Sequence, residues 1–459
     1  MTEIGGTGAG NPAPRAGAWY AVFILLLLYT LSYLDRLILA LLAAPISSSL
    51  HLSDTQLGLL TGSGFGIVYA LCGLPIAHLI DRTHRVGIVS IGVSLWSAAT
   101  IASGFATDYW QLLAARSGVA IGEAVLSPAA ISIIGDMFVR ERRTLPTAVY
   151  TSVGTFMTAG SFVAGGAALD LAHMLSASFQ MEPWRLALVI VGLPSLILAP
   201  ILFLSVREPA RTKELNAQTD YASLQDAINY VRTEGALFAF VFIAMCCTGI
   251  NTFAFNIWTP TLLVRAFGQT PSEAGYAFGI VGTVAGILGA ILWPYLAKTL
   301  PRLGWKNAIV VLFAGGVFVK EISTIGVGLA PTETMVLIAS FFLIFPGAVC
   351  AMLPPLIIQY VAPPRVRARL VAMNLLASTL VGLSIGPPLC AWIAETFYSG
   401  PHALGAAIAT VTSIFGPISI IASLLACPKF APAQAAALAR EAAAPQPSPE
   451  AGSSIATPA

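Results

Sequence analysis

The sequence predicts an all-α membrane protein in which twelve transmembrane helices form two pseudo-symmetric six-helix bundles. Of its 459 residues, 57% are hydrophobic and 10% are charged, whereas a soluble domain carries about 25% charged residues. Twelve runs are apolar over about 20 residues, the length at which a helix crosses a bilayer. The net charge of +2 gives no indication of a nucleic-acid partner. Composition therefore places most of the surface in lipid.

The first half of the chain holds six of the apolar runs. An N-terminal segment, residues 1–18, is rich in Gly, Ala and Pro and is expected to be flexible. The first run is longer than the roughly 7–15 apolar residues of a signal peptide, so we expect a helix that is retained. Together the runs predict an N-terminal bundle over residues 19–206, with spans at 19–44, 56–80, 86–105, 110–138, 145–171 and 184–206.

The second half repeats the pattern after a break. Residues 207–234 mix charges with an amphipathic stretch at 221–231 and are predicted to be a cytoplasmic linker. The tail, residues 428–459, is rich in Ala, Pro and Ser and is expected to be disordered. Between them we predict a C-terminal bundle over residues 235–427, with spans at 235–263, 272–296, 305–329, 332–360, 366–394 and 403–427.

Basic residues mark one face of the membrane, because they fall in alternate loops while the opposite loops hold little beyond Arg185 and Arg265. Arginine- and lysine-rich loops stay in the cytoplasm, so this asymmetry predicts that both termini are cytoplasmic. The Ala-rich sequence with short loops is typical of the bacterial inner membrane. The basic loops contain Arg82 and Arg85; Arg140, Arg142 and Arg143; Arg207, Arg211, Lys213 and Arg232; Lys298, Arg302 and Lys306; and Arg365, Arg367 and Arg369.

Four charged residues lie inside predicted spans of the first half, where an ionisable side chain is costly and indicates function. Asp35 and Arg36 are adjacent on the first span, and Arg116 and Glu123 are seven residues apart on one face of the fourth. At about 1.5 Å per residue, Asp35 lies ~14 Å below the outer surface, between Arg116 at ~9 Å and Glu123 at ~20 Å. We therefore expect the four to converge on one cavity.

Such a cluster suits a proton-coupled switch, because burial and a neighbouring arginine act in opposite directions on the protonation of a carboxylate. The hypothesis assigns Asp35 and Glu123 as protonation sites. It assigns Arg36 and Arg116 to hold an anionic substrate group or to neutralise the empty site. The alternative interpretation is a structural charge network that locks the first six helices together.

The second half offers fewer candidates. Lys320 and Glu321 are predicted near the outer end of the ninth span, where a lysine reaches the interface. A polar and aromatic mix on the seventh and eleventh spans is predicted to line the C-terminal side of a substrate cavity, although each member also suits helix packing. These candidate substrate-binding residues are Asn251, Phe255, Asn256, Trp258 and Asn374.

The loop after the second span carries a motif, with Gly73, Asp81, Arg82 and Arg85 in the spacing G-x-x-x-[GA]-x-x-x-D-R-x-x-R. Found between spans two and three of twelve, it resembles the signature of the major facilitator superfamily. The resemblance implies a cytoplasmic gate, since in that family the acid and arginines latch the two bundles together in the outward-facing state. A helix N-terminus of the second half would attract the Asp81 carboxylate through its dipole.

Further segments extend the resemblance. The segment from Arg116 to Ala124 resembles the superfamily's motif on the fourth helix. Within the superfamily, the patterns Tyr-Leu-Asp35-Arg36, Gly-Glu123-Ala and Val-Arg-Glu-Pro209 resemble the spinster-type transporters. That similarity implies the major facilitator fold, alternating access, and an amphiphilic anion such as a lysophospholipid or a sphingosine phosphate as substrate. The anion:cation symporters share the first-span pattern, so a proton-coupled organic anion symporter is the alternative.

Other functional classes lack their motifs. No phosphate-binding loop of an ATP-driven pump is present. The five histidines lie at loops or helix ends, so no nucleophile–base pair or metal site is expected, and neither an enzyme nor a cofactor is predicted. A non-transporting membrane sensor on the same fold is a second alternative. The predicted partners are a small-molecule or lipid-like substrate, protons and the lipid bilayer, with the chain acting as a monomer.

Overall fold

The structure is a computed structural model that describes residues 16–211, 224–233, 235–305 and 307–443. Within these ranges the chain forms α-helices joined by short loops and brief 3₁₀ turns, without a β-strand. Most of the predicted N-terminal segment and the middle of the predicted linker lie outside the described residues, as do residues 444–459.

Eight described helices build the N-terminal bundle, because two of its six spans are interrupted. The second span breaks at Gly62, and the fourth breaks just after Glu123. The helices are α1 Ala16–Leu50, α2 Asp54–Thr61, α3 Ser63–Arg82, α4 Arg85–Ser103, α5 Tyr109–Glu123, α6 Leu126–Met137, α7 Thr144–Phe179 and α8 Pro183–Ser205.

The second half begins with a short helix that corresponds to the predicted amphipathic stretch. In that helix Ile228 and Val231 are three residues apart, the spacing of one apolar face. The helices of this half are α9 Leu224–Thr233, α10 Ala236–Phe267, α11 Pro271–Thr299, α12 Ala308–Leu329, α13 Glu333–Val361, α14 Pro364–Phe397 and α15 Ala403–Ala443.

Twelve helical segments among the described residues are long and apolar enough to cross a membrane, which confirms the predicted number of spans. Large apolar side chains such as Leu71, Ile91 and Leu204 stand exposed on the outer surface of the bundles. An exposed apolar surface of this extent is stable only against lipid. The loops that carry the basic residues lie at one end of the molecule, called here the arginine-rich end; the predicted cytoplasmic location of that end stays a prediction.

Several of the helices that start at the opposite end begin with side-chain caps. The side-chain oxygens of Ser53 and Thr270 each accept a hydrogen bond from the backbone N–H of the residue three positions later, which is Gln56 or Glu273. The side chains of Gln56 and Glu273 in turn accept from the backbone N–H of Ser53 and Thr270. Asp108 likewise caps α5. These bonds satisfy N–H groups that would otherwise be orphaned at a helix start, so they fix where these spans begin.

Two predicted boundaries need correction. Helix α1 begins at Ala16, so residues 16–18 are helical rather than flexible. Helix α15 continues to Ala443, so residues 428–443 of the predicted disordered tail are helical as well. Alanine has the highest helix propensity and dominates this stretch. A further contact holds it, because Arg440 Nη1 donates to Tyr230 Oη of α9 at 3.5 Å.

The two bundles contact each other through α7 with α11 and α2 with α14. Glycines permit the approach. A Cβ on Gly58 of α2 would lie 2.8 Å from Pro388 Cα of α14, and one on Gly275 of α11 would lie 2.8 Å from the Phe162 carbonyl oxygen of α7. Both close approaches lie in the half of the molecule away from the arginine-rich end, so the bundles are pressed together there.

Candidate transport site

Asp35 lies in the middle of α1 and is buried against α4 and α5. Arg116 Nη1 of α5 donates to its Oδ1 at 3.3 Å, and Thr100 Oγ1 of α4 donates to its Oδ2 at 2.6 Å. The side chains of Asp35 and Arg116 are 3% and 2% exposed. This is an ion pair shielded from water on all sides, where charge interactions are strongest.

The neighbouring Arg36 makes a second pair. Its Nη2 donates to Glu123 Oε2 at 2.5 Å and its Nε to the same oxygen at 3.2 Å. Three aromatic rings surround the guanidinium, with Cζ 5.0 Å from the Phe65 centroid, 5.5 Å from Tyr69 and 5.7 Å from Tyr33. Ring faces of this kind attract a cation. The guanidinium is therefore held by both a carboxylate and an aromatic cage.

The structure thus brings together the four charges predicted on the first and fourth spans. We call Asp35, Arg36, Arg116 and Glu123 the charge quartet. Consecutive residues of a helix point about 100° apart at 3.6 residues per turn, so Asp35 and Arg36 reach different partners on α5 instead of each other. Glu123 Oε1 and Arg116 Nε are buried without a hydrogen-bond partner among the described residues.

Glycine explains why the fourth span approaches its neighbours so closely at this level. A Cβ on Gly122 would lie 2.5 Å from the Gly92 carbonyl oxygen and 2.7 Å from the Trp96 backbone nitrogen, both on α4. No larger residue fits there. The close contact between α4 and α5 places Thr100 and Arg116 on the same carboxylate of α1.

A central cavity of about 630 Å³ lies between the bundles. Its walls come from α10, α11, α12, α13 and α14 on one side and from α7 on the other, and they are mostly apolar or small. Trp293, Pro294 and Met352 extend it towards the arginine-rich end. None of the four quartet residues is among its lining residues, but Tyr33 of the aromatic cage is adjacent, since a Cβ on Gly154 of the wall would lie 2.9 Å from Tyr33 Oη.

The five candidates of the second half separate in the structure. Asn256 lines the cavity. Phe255 and Trp258 are fully buried away from it, and Trp258 Nε1 donates to the Pro387 carbonyl oxygen at 2.9 Å. Asn251 donates to Glu321 Oε2 at 2.6 Å. Asn251, Phe255 and Trp258 follow the i, i+4, i+7 spacing, so they share a packed face of α10 that is rotated away from the cavity-lining face.

Asn374 of α14 is buried, and its side-chain nitrogen and oxygen both lack a hydrogen-bond partner among the described residues. It does not line the central cavity, although Ser378 one turn further along α14 does. An unsatisfied buried amide costs free energy.

Lys320 and Glu321 require a correction, because they do not lie near a membrane interface. Both side chains are 1% exposed, and Lys320 lines the cavity. Glu321 accepts from Thr248 Oγ1 at 3.1 Å as well as from Asn251. The predicted depth in the membrane was wrong. Lys320 lies twelve residues after the start of α12 and nine residues before its end, which is about halfway along the helix. The depth argument used for Asp35 would have found this pair.

The predicted gate residues divide into two groups. Asp81 and Arg82 are exposed at the arginine-rich end, and a Cβ on Gly73 would meet nothing within 4 Å. Arg85 is instead buried inside the N-terminal bundle, where it donates to Glu208 Oε1 at 2.7 Å and pairs with Asp136. The Arg-Glu-Pro segment after α8 therefore supplies an acid that anchors Arg85.

A polar cluster that the sequence did not predict joins the bundles at the opposite end. Arg265 of α10 donates from Nη1 and Nη2 to Asp54 Oδ2 and Oδ1 of α2, at 2.6 and 2.7 Å. Glu395 of α14 accepts from Thr55 Oγ1. We call these four residues the outer clasp. They lie near the ends of three different helices, so only three-dimensional proximity identifies them as a cluster.

Metal binding receives no support from the described residues, which contain no group of three or more His, Cys, Asp or Glu side chains arranged to hold an ion. The six cysteines are free thiols.

Comparison with known proteins gives the family. The model of the Major Facilitator Superfamily matches residues 25–320. An MFS-type efflux pump of Mycolicibacterium smegmatis is 31% identical over 433 residues, covering 92% of this chain and 95% of the pump. The sphingosine-1-phosphate transporter SPNS2 of Danio rerio is 26% identical over 389 residues, covering 80% of this chain and 74% of that protein.

Among solved structures, this chain is similar to a bacterial homologue of the human lysosomal transporter Spinster in an inward-facing and unoccupied conformation. The TM-score is 0.76 and the identity 26%, and the match covers 93% of this chain and 99% of the other. The similarity extends over both bundles.

Proposed function

The chain belongs to the major facilitator superfamily and is a multi-pass inner-membrane transporter of the spinster type, and from that premise we propose that it carries an amphiphilic anion together with a proton by alternating access. The observation that carries the proposal is the charge quartet, in which two buried carboxylates are each neutralised by one arginine. A lysophospholipid or a sphingosine-phosphate-like lipid is the first substrate class, and the arginine-rich end is assigned to the cytoplasm.

Glu123 is the proposed coupling carboxylate. Its side chain is fully buried, whereas 29% of its partner Arg36 is exposed. A buried carboxylate without its cation is neutralised by taking up a proton. Protonation of Glu123 and release of Arg36 are therefore one event. The released guanidinium stays beside Tyr33 and the cavity wall, where its positive charge favours an anion in the cavity.

Asp35 is the second proposed proton site, and Arg116 its neutralising partner. This pair is more deeply buried than the pair of Arg36 and Glu123, since neither of its side chains is more than 3% exposed. Asp35 would exchange its proton only when the α1–α5 contact opens. Both arginines thus pair with carboxylates in this state, and neither is a lining residue of the central cavity.

Alternating access supplies the movement. The outer clasp closes the end away from the basic loops, while the cavity extends towards the arginine-rich end. Rocking of the bundles would break the clasp and allow Asp81 and Arg82 to meet the second bundle. Binding of an anion and a proton together keeps the site neutral during this movement, because a proton compensates the charge of the anion.

The test is proton uptake by proteoliposomes loaded with a pH-sensitive dye when lysophosphatidylglycerol is added. We expect Glu123→Gln to abolish substrate-dependent acidification, because glutamine keeps the shape of glutamate and cannot take up a proton. For Asp35 the double variant Asp35→Asn/Arg116→Gln is preferable, since removing one member of a buried pair leaves an uncompensated charge that costs about 3–5 kcal/mol.

Glu182→Gln is the matched control. Hydrogen bonds donated first by Ser49 and then by Arg185 lower the pKa of Glu182 at the outer loop, so it carries a charge but lies far from the quartet. It should leave proton uptake unchanged. Substrate transport with normal acidification in Glu123→Gln would exclude Glu123 from coupling and leave the quartet as a structural network.

A further inference from the structure

A second charged pair, on the opposite side of the cavity from the quartet, has no place in the coupling scheme. Lys320 and Glu321 lie midway along α12 and are both 1% exposed. A buried lysine is costly unless it is well paired. The partners of each member show that the pair is not symmetrical.

Glu321 is well satisfied without the lysine. Thr248 Oγ1 and Asn251 Nδ2 donate to its two oxygens at 3.1 and 2.6 Å. Lys320 is not satisfied to the same degree. Its Nζ makes two long contacts, 3.4 Å to Glu321 Oε1 and 3.5 Å to the Thr248 carbonyl oxygen. An ammonium group has three donors, so Lys320 retains capacity for a further acceptor.

The cavity supplies the place for that acceptor. Among the described residues that line it, Lys320 is the only charged one. Hydroxyl and amide groups of Thr252, Asn256 and Ser378 lie on the same walls, and the remainder are mainly apolar or small. A cavity of this size with one cation, a few polar groups and long apolar walls complements a molecule with one anionic end and one apolar chain.

We propose that Lys320 is the ligand for the anionic headgroup of the substrate, and that the substrate's single acyl chain lies along the apolar walls of α11 and α13. This inference rests on the proposed function, because it takes an anion as the substrate. It moves substrate recognition to the C-terminal bundle and leaves the N-terminal quartet for proton coupling. An anion on Lys320 also lies across the cavity from Tyr33 and Arg36, which joins substrate binding to the coupling carboxylate.

The experiment measures equilibrium binding to the full-length protein in nanodiscs, which does not depend on coupling. The probe is lysophosphatidylglycerol with a fluorescent acyl chain, and the uncharged comparator is a monoacylglycerol with the same chain. We expect Lys320→Gln to raise the Kd of the anionic probe at least tenfold and to change that of the uncharged one less than twofold. Lys320→Arg should restore most of the affinity, because arginine keeps the charge.

The double variant Lys320→Gln/Glu321→Gln is the control for misfolding. It removes both charges and therefore leaves no unpaired charge buried in the bundle. The double variant should also lose its preference for the anionic probe. Unchanged affinity for the anionic probe in both variants would overturn the assignment of Lys320. Competition by glycerol 3-phosphate as strong as that by unlabelled lysophosphatidylglycerol would overturn the amphiphilic class in favour of a free organic phosphate.

The two proposals fail separately. If Glu123→Gln loses substrate-dependent acidification but still prefers the anionic probe over the uncharged one, the coupling scheme is supported and the assignment of Lys320 stands. Normal acidification in Glu123→Gln, with lost selectivity in Lys320→Gln, refutes the coupling scheme and supports the headgroup site.

Discussion

The outer clasp offers a direct way to shift the balance between the two orientations of the transporter. Asp54→Asn keeps the size of the side chain and removes the charge that Arg265 binds. The pair joins α2 of the first bundle to α10 of the second, at the end away from the basic loops. Since it forms only when that end is closed, its loss should favour molecules in which that end is open.

The magnitude follows from the geometry. Charge-assisted hydrogen bonds contribute about 1.5–3 kcal/mol when shielded. Here the Arg265 side chain is 30% exposed and the Asp54 side chain 14% exposed. Screening by solvent reduces the contribution of the pair to about 1–2 kcal/mol. That free energy corresponds to a factor of roughly 5–30 in the ratio of closed to open molecules.

Single-molecule energy transfer measures this ratio. Dyes attached through non-natural amino acids at Thr107 and Pro331, both exposed at the clasp end on different bundles, leave the six native cysteines in place. Asp54→Asn should enlarge the population with the longer dye separation by the stated factor. The double variant Asp54→Asn/Arg265→Gln should shift it no further than either single change, because both remove the same interaction.

Glu182→Gln breaks a comparable pair with Arg185 within one bundle at the same end, and it should leave the separation unchanged. The reasoning is refuted if Asp54→Asn gives the distribution of the unmodified protein. It is also refuted if the effects of the two single changes add in the double variant, since independent effects would mean that the pair is not the closing contact.

Two further predictions concern packing. Arg85→Gln should lower the free energy of unfolding by about 3 kcal/mol, because it removes the buried cation that pairs with Asp136 and Glu208; the exposed Arg82→Gln is the control, and equal thermal stability of both variants in detergent would contradict this structural role of Arg85. Gly58→Val should hold the clasp end open, because its Cβ would meet Pro388 Cα at 2.8 Å. Gly315→Ala, with nothing within 4 Å, should have no effect in the same dye-separation assay.

Much of the architecture followed from the sequence because a bilayer imposes simple rules. A spanning helix needs about 20 apolar residues and satisfies its own backbone, so run length alone predicts the spans. The same reasoning isolates Asp35, Arg116 and Glu123, since a charge in an apolar run stands out. Run length was less informative at the last helix, where an alanine-rich stretch continues α15 through residues 428–443.

The pairing of charges within the site depends on the direction of each side chain around its helix axis. The depth of a residue in the membrane, which the sequence predicts, does not give that direction. Depth placed Asp35 between Arg116 and Glu123. The rotation of α1 about its own axis decides that Asp35 forms its ion pair with Arg116 and that Arg36 forms its ion pair with Glu123. Rotation of α10 likewise buried Phe255 and Trp258 while leaving Asn256 on the cavity wall.

The sequence by itself determined that this chain spans a membrane twelve times, divides into two halves and places charges at mid-membrane depth. Those properties depend on hydrophobicity summed along the chain. The tertiary structure alone decided that Lys320 faces the cavity, that Arg85 anchors one bundle internally, and that Asp54 and Arg265 meet across the bundles. Contacts between distant segments depend on how helices rotate and pack, and packing is decided by all of the neighbouring side chains together.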